Sequence, residues 1–463
     1  MPENEQHFDV VVVGGGPAGY AASLYGGSAG LKIALVEKDK VGGTCLHRGC
    51  IPAKELLETA ATHRHVSHAK EYGVLAEVTG LDWKASLGRK NKIVDMNWKG
   101  LQSTIKRRGV TTYPGTGTLG ANRTVTVSGA DGSTTELTGD AVILAAGSVP
   151  RTLPGFDVDG QFVVTSDEML DIPELPETAV VIGGGAIGCE FASLMADLGT
   201  KVTILEFLPK ILPGVDGDAV DAVAKSFKKR GIEIRTGVKV VGHEPTGNGT
   251  TMVQVEGGDP VETHLVVVSV GRRPLSESLG LDGGSGVEVD ERGFVKVDEL
   301  CRTNVEGVWA VGDLVATPAL AHVGFAEAIV AIKDSLGESP VPVAYDRVPL
   351  CIYCSPEVAF AGHSEESAKD AGFDVVTYKS QYSHNARSMI VNQPEGLVKV
   401  IAEKGPDGKA GQVLGVHMVG PWATEQLGQG YLAVNWEATV DEVAHFIQPH
   451  PTMSEVFGEA FIA

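Results

Sequence analysis

The 463 residues exceed the size at which one hydrophobic core keeps growing, so roughly two to four domains are expected. With 59 acidic against 38 basic residues the net charge is −21, and no basic run stands out, which makes nucleic acid and anionic membrane surfaces poor partners. Six cysteines in so long a chain make no disulfide framework, leaving metal binding, catalysis or burial as their uses.

The chain opens on MPENEQHFDVVVV, acidic before an apolar run that is too short to span a bilayer and breaks at once into glycine. It reads as no signal peptide, and a cytoplasmic location is expected. FDVVVV predicts a buried strand, GGGPAG a glycine turn, YAASLYGGSAG a helix and KIALVEK a second strand ending in an acid, which together make one βαβ unit. Gly14, Gly16 and Gly19 meet the G-x-G-x-x-G spacing: the first permits the tight turn, the second lets backbone approach a pyrophosphate, the third lets helix and strand pack. Glu37, eighteen residues past Gly19, suits adenosine ribose hydroxyls. Gly26 and Gly27 inside the predicted helix cost roughly 1 kcal/mol each against alanine, and nothing local explains them.

Next comes GGTCLHRGCIPAK, with Cys45 and Cys50 five positions apart. The flanking turn and helix-start residues, and Arg48 between the sulfurs, fit buried packing poorly. Zinc would need two more ligands, and no Cys or His pair with ligand spacing stands nearby. A redox use fits better. In a regular helix positions i and i+5 lie roughly 8.6 Å apart between Cα atoms, beyond the roughly 7 Å a disulfide tolerates. If the two thiols bond, the segment must therefore be distorted, and Gly49 is placed to allow it.

An apolar strand closes in DAVILAAGSVPRTLPG, whose Gly147, Pro150 and Pro154 read as a domain exit. The βαβ unit then returns in TAVVIGGGAIGCEFASLMADLGTKVTILE, with Gly183, Gly185, Gly188 and Glu206 at the same spacing. Two nucleotide folds imply two nucleotides. An acid at the second ribose, with no paired arginines in FLPKILPG, favours NAD over NADP. LVVVSVGRRP predicts another strand ending at Gly271 to Pro274, and TNVEGVWAVGDLVATPALAH one that delivers Gly312 and Asp313 to its carboxyl edge, where ligands of open α/β sheets sit. From about residue 346 the pattern changes to strands such as VVTYKSQY and LVKVIAEK, a hairpin-like KGPDGKAG and helices ending in HPTMSE. The expected fold is α/β, with two Rossmann-like domains followed by a C-terminal α+β domain.

GGGPAG, GGTCLHRGCIPAK, GGGAIGCE, WAVGD and HPTMSE, in register along essentially the whole chain, resemble the flavin-dependent pyridine nucleotide–disulfide oxidoreductases. The LHRGCIP wording, the NAD-type acid and a chain ending soon after HPTMSE are most similar to members that oxidise dihydrolipoamide. The resemblance implies a discontinuous FAD-binding domain (1–150 and 278–345), an NAD-binding domain (151–277) and a dimerisation domain (346–463). FAD would be held by Gly14, Gly16, Gly19, Glu37, Lys54, Gly117, Gly147, Gly312, Asp313 and Ala321. NAD would be held by Gly183, Gly185, Gly188, Glu190, Glu206 and Gly271, and Lys54 with Glu190 matches the family's ion pair beside the flavin. Cys45 would exchange with a dithiol, Cys50 would face the flavin as its disulfide partner, and His450 with Glu455 would act from the partner subunit of a homodimer. No metal is implied. The expected partner is the lipoyl domain of a 2-oxo acid dehydrogenase complex or glycine cleavage system, and the alternative is an NAD(P)H-dependent reductase of a small-molecule disulfide.

Three features depart from the family's pattern. Gln448 stands where a first histidine is usual, Ala145-Ala146-Gly147 lacks one hydroxyl, and Cys351 and Cys354 form a second C-x-x-C that reads as buried packing in a strand.

Overall fold

The computed structural model describes residues 5–281, 284–405 and 408–462. Its chain divides into two compact units. The first comprises the described parts of Met1–Glu55, Lys84–Arg151 and Arg272–Tyr345, the second those of Leu56–Trp83, Thr152–Gly271 and Asp346–Ala463.

In the first unit Glu5–Val13 lies at the centre of a seven-stranded sheet, parallel to Ile33–Glu37 on one side and to Thr134–Leu144 on the other. Its side chains divide by the period of a strand. Val11 and Val13 join one apolar cluster with Ala34, Val36 and Leu144, while Val10 and Val12 join another with Ile33, Leu35 and Ile143. Both faces are covered, which is why the strand reads as a continuous apolar run. Each fully buried valine contributes roughly 1.5–3 kcal/mol. Val308–Ala310 pairs in parallel with Thr134–Leu144, bringing the later WAVGD segment to the same sheet edge as the first glycine turn.

Helix Pro17–Ser28 explains its two glycines through distant neighbours. A Cβ at Gly26 would stand 2.9 Å from Ile33 Cδ1, and one at Gly27 would stand 2.8 Å from the Arg108 carbonyl oxygen. The helix penalty of roughly 1 kcal/mol per glycine is smaller than the cost of overpacking two tight contacts.

The second unit holds a five-stranded parallel sheet in the order Glu233–Thr236, Lys201–Glu206, Thr178–Ile182, Leu265–Val268, Val163–Thr165. A three-stranded antiparallel sheet covers part of it, with Val253 packed among Val180, Leu205 and Val266. The C-terminal sheet is antiparallel, ordered Leu350–Ile352, Glu357–Gly362, Ala410–Gly420, Leu397–Lys404, Val375–Gln381. Leu397–Lys404 and Ala410–Gly420 form the flanks of the expected hairpin, whose Pro406 and Asp407 lie outside the described residues. The C-x-x-C is not one strand: Cys351 lies in Leu350–Ile352, whereas Cys354 sits in the turn before Glu357. Among the described residues no helix is long and apolar enough to cross a membrane.

Candidate active site

The cysteine segment is two helices, not one. Gly43–Arg48 carries Cys45 and Cys50–Ser67 begins on the second cysteine, with Gly49 between them at φ −153° and ψ −111°, outside helical geometry. This break is the distortion that five-residue spacing requires. A Cβ at Gly49 would also meet the Thr44 carbonyl oxygen at 3.1 Å. The two sulfurs are hydrogen-bond partners, and that bond, followed by burial, pushes the Cys45 thiol well above its usual range, while the Lys54 ammonium pulls the other way. A second proton is therefore hard to remove once Cys50 is a thiolate. Tyr20 stands close enough to feel both thiols, and burial together with their charge raises its hydroxyl to about 12.

The thiol helix is seated on the first glycine turn. Gly42, at φ 114°, donates its N–H to the Gly15 carbonyl at 2.7 Å, and Gly43 lies so close that a Cβ there would be 2.6 Å from Gly16 Cα. The turn itself is made by contact: Cβ atoms at Gly14 and Gly19 would stand 2.2 Å from the Ala145 oxygen and 1.7 Å from the Gly14 oxygen. Gly16 starts Pro17–Ser28 with no side-chain cap and no acid in the first turn, leaving the helix's first N–H groups for an anionic ligand. Glu37 accepts the Gly15 N–H at 2.6 Å and the Asp39 N–H at 2.8 Å. An uncapped helix start, bare glycine backbone and a fixed acid fit the pyrophosphate and ribose of a dinucleotide, so the residues present suit FAD.

Asp313 reaches the same unit from the WAVGD strand. It accepts the Ser148 hydroxyl at 2.6 Å, and Arg272 braces Ser148 through its Nε at 2.7 Å, 3.8 Å from the Asp313 carboxylate. Gly312 donates to Glu327, a fully buried acid that also accepts Thr317 and Tyr345 hydroxyls at 2.7 and 2.9 Å. Burial raises the Glu327 carboxyl above its ordinary value. Sequence reading passed over Glu327, Ser148 and Tyr20 and saw Arg272 only as part of GRRP. The single acid in the apolar run HVGFAEAIVA was the available signal for Glu327. Gly117 sits in strand Thr116–Leu119, where a Cβ would meet Val13 at 2.8 Å, Gly147 adopts φ 72°, and Ala321 begins helix Ala321–Ser335.

The second glycine turn repeats the first. Cβ atoms at Gly183 and Gly188 would stand 2.5 Å from the Ser269 oxygen and 2.0 Å from the Gly183 oxygen, whereas Gly185 faces open space. Glu206 accepts the Gly184 N–H at 2.5 Å and the Leu208 N–H at 2.7 Å. Gly271 has φ 103° with room around it. Glu190 is no ordinary surface helix residue: it is buried in Ala186–Asp197 and accepts the Tyr353 N–H at 2.9 Å.

Near the C-terminus exposed His450 meets Glu455 at 2.7 Å through Nδ1, and Glu455 also accepts the Thr452 N–H at 2.9 Å. These bonds hold the Glu455 carboxyl below its usual range. A carboxylate on Nδ1 leaves Nε2 as the ring's outward nitrogen. Gln448 stands over Gly458, where a Cβ would meet its Cγ at 2.7 Å. Cys354 is fully buried, and no group of three or more metal-ligating side chains occurs among the described residues.

Residues 8–328 match the pyridine nucleotide-disulphide oxidoreductase family and residues 348–461 its dimerisation domain, which supports a homodimer. The chain is 38% identical to a dihydrolipoyl dehydrogenase of Bacillus subtilis, with 98% of each covered. It is 36% identical to the mitochondrial dihydrolipoyl dehydrogenase of Pisum sativum, covering 98% of this chain and 91% of that one. The crystal structure of LpdA from Mycobacterium tuberculosis superposes with a TM-score of 0.91 at 26% identity, covering 99% of both chains. This chain belongs to the pyridine nucleotide-disulphide oxidoreductase family, with FAD and NAD(H) as its cofactors.

Proposed function

We propose that the enzyme oxidises a protein-bound dihydrolipoyl group to lipoyl and passes the electrons to NAD+. The observation that carries this reading is the pair of neighbouring thiols, Cys45 and Cys50, set at a helix break and seated on the first glycine turn. Full-length similarity to dihydrolipoyl dehydrogenases supports the same substrate. FAD belongs to residues 1–150 and 278–345, held by the first turn, Lys54 and Asp313; NAD(H) belongs to 151–277, and 346–463 forms the dimer. The enzyme acts in the cytoplasm, and the lipoyl domain of a 2-oxo acid dehydrogenase complex or glycine cleavage system brings the substrate.

His450, oriented by Glu455, serves the cysteines of the partner subunit as base. A dihydrolipoyl thiol is mostly protonated near neutral pH, so its attack requires proton removal. His450 takes that proton, and the thiolate attacks Cys45 of the Cys45–Cys50 disulfide, expelling Cys50 as thiolate. The second substrate thiolate then attacks the substrate sulfur of the mixed disulfide, which releases the cyclic disulfide and the Cys45 thiolate. His450 returns the first proton to solvent, and the Cys45 thiolate takes up the proton lost by the second substrate thiol. The hydrogen bond between the two sulfurs lets that proton serve both, with Cys50 as the anionic member and the Lys54 charge close by. Bound FAD supplies the two-electron relay between this dithiol and NAD+.

Cys45→Ser and Cys50→Ser should abolish NADH-dependent lipoamide reduction while leaving FAD bound. His450→Gln should slow the dithiol half-reaction roughly a hundredfold or more, with NADH-to-dye electron transfer little changed. Near-normal lipoamide turnover in either serine variant would sink the exchange scheme. A preference for NADPH with no lipoamide activity would move the assignment to a small-molecule disulfide reductase.

A further inference from the structure

The segment after Glu206 is tied to the second glycine turn once directly, by Leu212, and once through the Glu206 carboxylate, which also accepts the Gly184 N–H. Leu208 N–H donates to Glu206, and Leu212 N–H donates to the Gly184 carbonyl at 2.7 Å. Leu212 does this at φ 52°, a left-handed conformation that a branched side chain keeps only when surrounding structure fixes it. The segment ends at Asp216, which caps helix Gly217–Lys229 through the Asp218 N–H and is 2% exposed.

What fixes Asp216 comes from the C-terminal sheet. Lys399, on strand Leu397–Lys404 and also 2% exposed, places its Nζ 3.0 Å from both Asp216 carboxylate oxygens, 2.7 Å from Asp218 and 2.7 Å from Glu365. Lys379 meets Asp218 at 2.7 Å and Lys369 meets Glu365 at 2.6 Å, so three ammonium groups balance three carboxylates. A buried charge so fully matched resists displacement, because freeing either partner leaves the other unpaired in the interior.

We propose that Lys399 is a positioning residue for NAD(H): by holding Asp216 it fixes the 207–215 segment against Gly184 and so sets the ribose side of the second nucleotide site. The inference rests on reading that turn as the NAD(H) site.

The test compares the FAD-loaded full-length enzyme with its Lys399→Met and Asp216→Asn variants and the double variant. NADH affinity and the KM for NAD+ are set beside the KM for dihydrolipoamide and the rate at which it reduces the flavin. NADH binding should weaken and the KM for NAD+ rise roughly five- to tenfold, with flavin content and the dithiol half-reaction within about twofold. The double variant should be no weaker than the worse single one, because both changes remove one contact. Unchanged NADH affinity in a folded single variant overturns the proposal, as does equal loss in both half-reactions, which general destabilisation would produce. Should Lys399→Met fail to fold, Asp216→Asn decides alone, since asparagine keeps the helix cap. If the parent enzyme itself bound no NADH, the assignment of the second turn would fall first and the proposal with it.

Discussion

The two glycine turns are built alike to the atom and differ in what holds the loop after the acid. In each, the terminal acid accepts the middle glycine's N–H and the N–H two residues past itself, Gly15 and Asp39 for Glu37, Gly184 and Leu208 for Glu206. In each, a residue farther along donates to the middle glycine's carbonyl at 2.7 Å. That residue is Gly42 at φ 114° in the first turn and Leu212 at φ 52° in the second. Glycine takes the left-handed region at no steric cost, whereas leucine pays roughly 1–2 kcal/mol. The first loop proceeds directly into the helix of Cys45, and the second runs to an aspartate clamped by a buried lysine. The first loop is thus held by glycine geometry and by the helix it leads into, through Arg48 to Asp39 and His47 to the Val41 carbonyl, whereas the second ends on a clamp from a strand remote in sequence.

Gly19→Ala and Gly188→Ala probe the two turns at their tightest contacts and carry the largest expected effects. The first should yield protein without flavin and without turnover. The second should keep flavin and the dithiol half-reaction while NADH binding weakens roughly ten- to a hundredfold. Flavin absorbance and NADH titration check both; loss of flavin in Gly188→Ala would mean the turns do not serve separate nucleotides. A smaller effect is expected at the second acid. Glu206→Ala should narrow the preference for NADH over NADPH roughly tenfold, read as the ratio of kcat/KM values, and an unmoved ratio would deny the acid its role at the ribose.

The gentlest probe is acid. His417, fully buried beside Asp216 and Lys399, has its pKa lowered to about 4 chiefly by burial, from an ordinary 6.5. The unfolded chain takes up that proton first, so this contribution to stability is complete above pH 6.5 and is lost as pH falls toward 4. Glu365, held down to about 2 by Lys369 and Lys399, adds a further loss below its ordinary 4.5. His417→Phe should flatten the upper part of that slope in denaturant titrations at a series of pH values. An unchanged slope would place the acid sensitivity elsewhere.

Much of the site was legible because its chemistry is local. Glycine spacing, a strand-end acid and two thiols flanking a possible break are set by backbone sterics over a few residues, and the structure shows Gly49 out of helical geometry where the i, i+5 spacing required it. The second C-x-x-C reads as strand because the apolar runs LCIY and VAF outweigh Ser355-Pro356, the turn signal that directly follows Cys354.

By itself, the sequence determined two nucleotide turns, a redox-capable cysteine pair and an α+β tail, since each follows from short-range geometry and periodicity. Only the tertiary structure decided why Gly26 and Gly27 sit in a helix, that Glu327 braces Gly312, and that Lys399 clamps Asp216. These pairings join positions remote in sequence, where a tight contact or a buried charge acquires its meaning from a partner that no local pattern names.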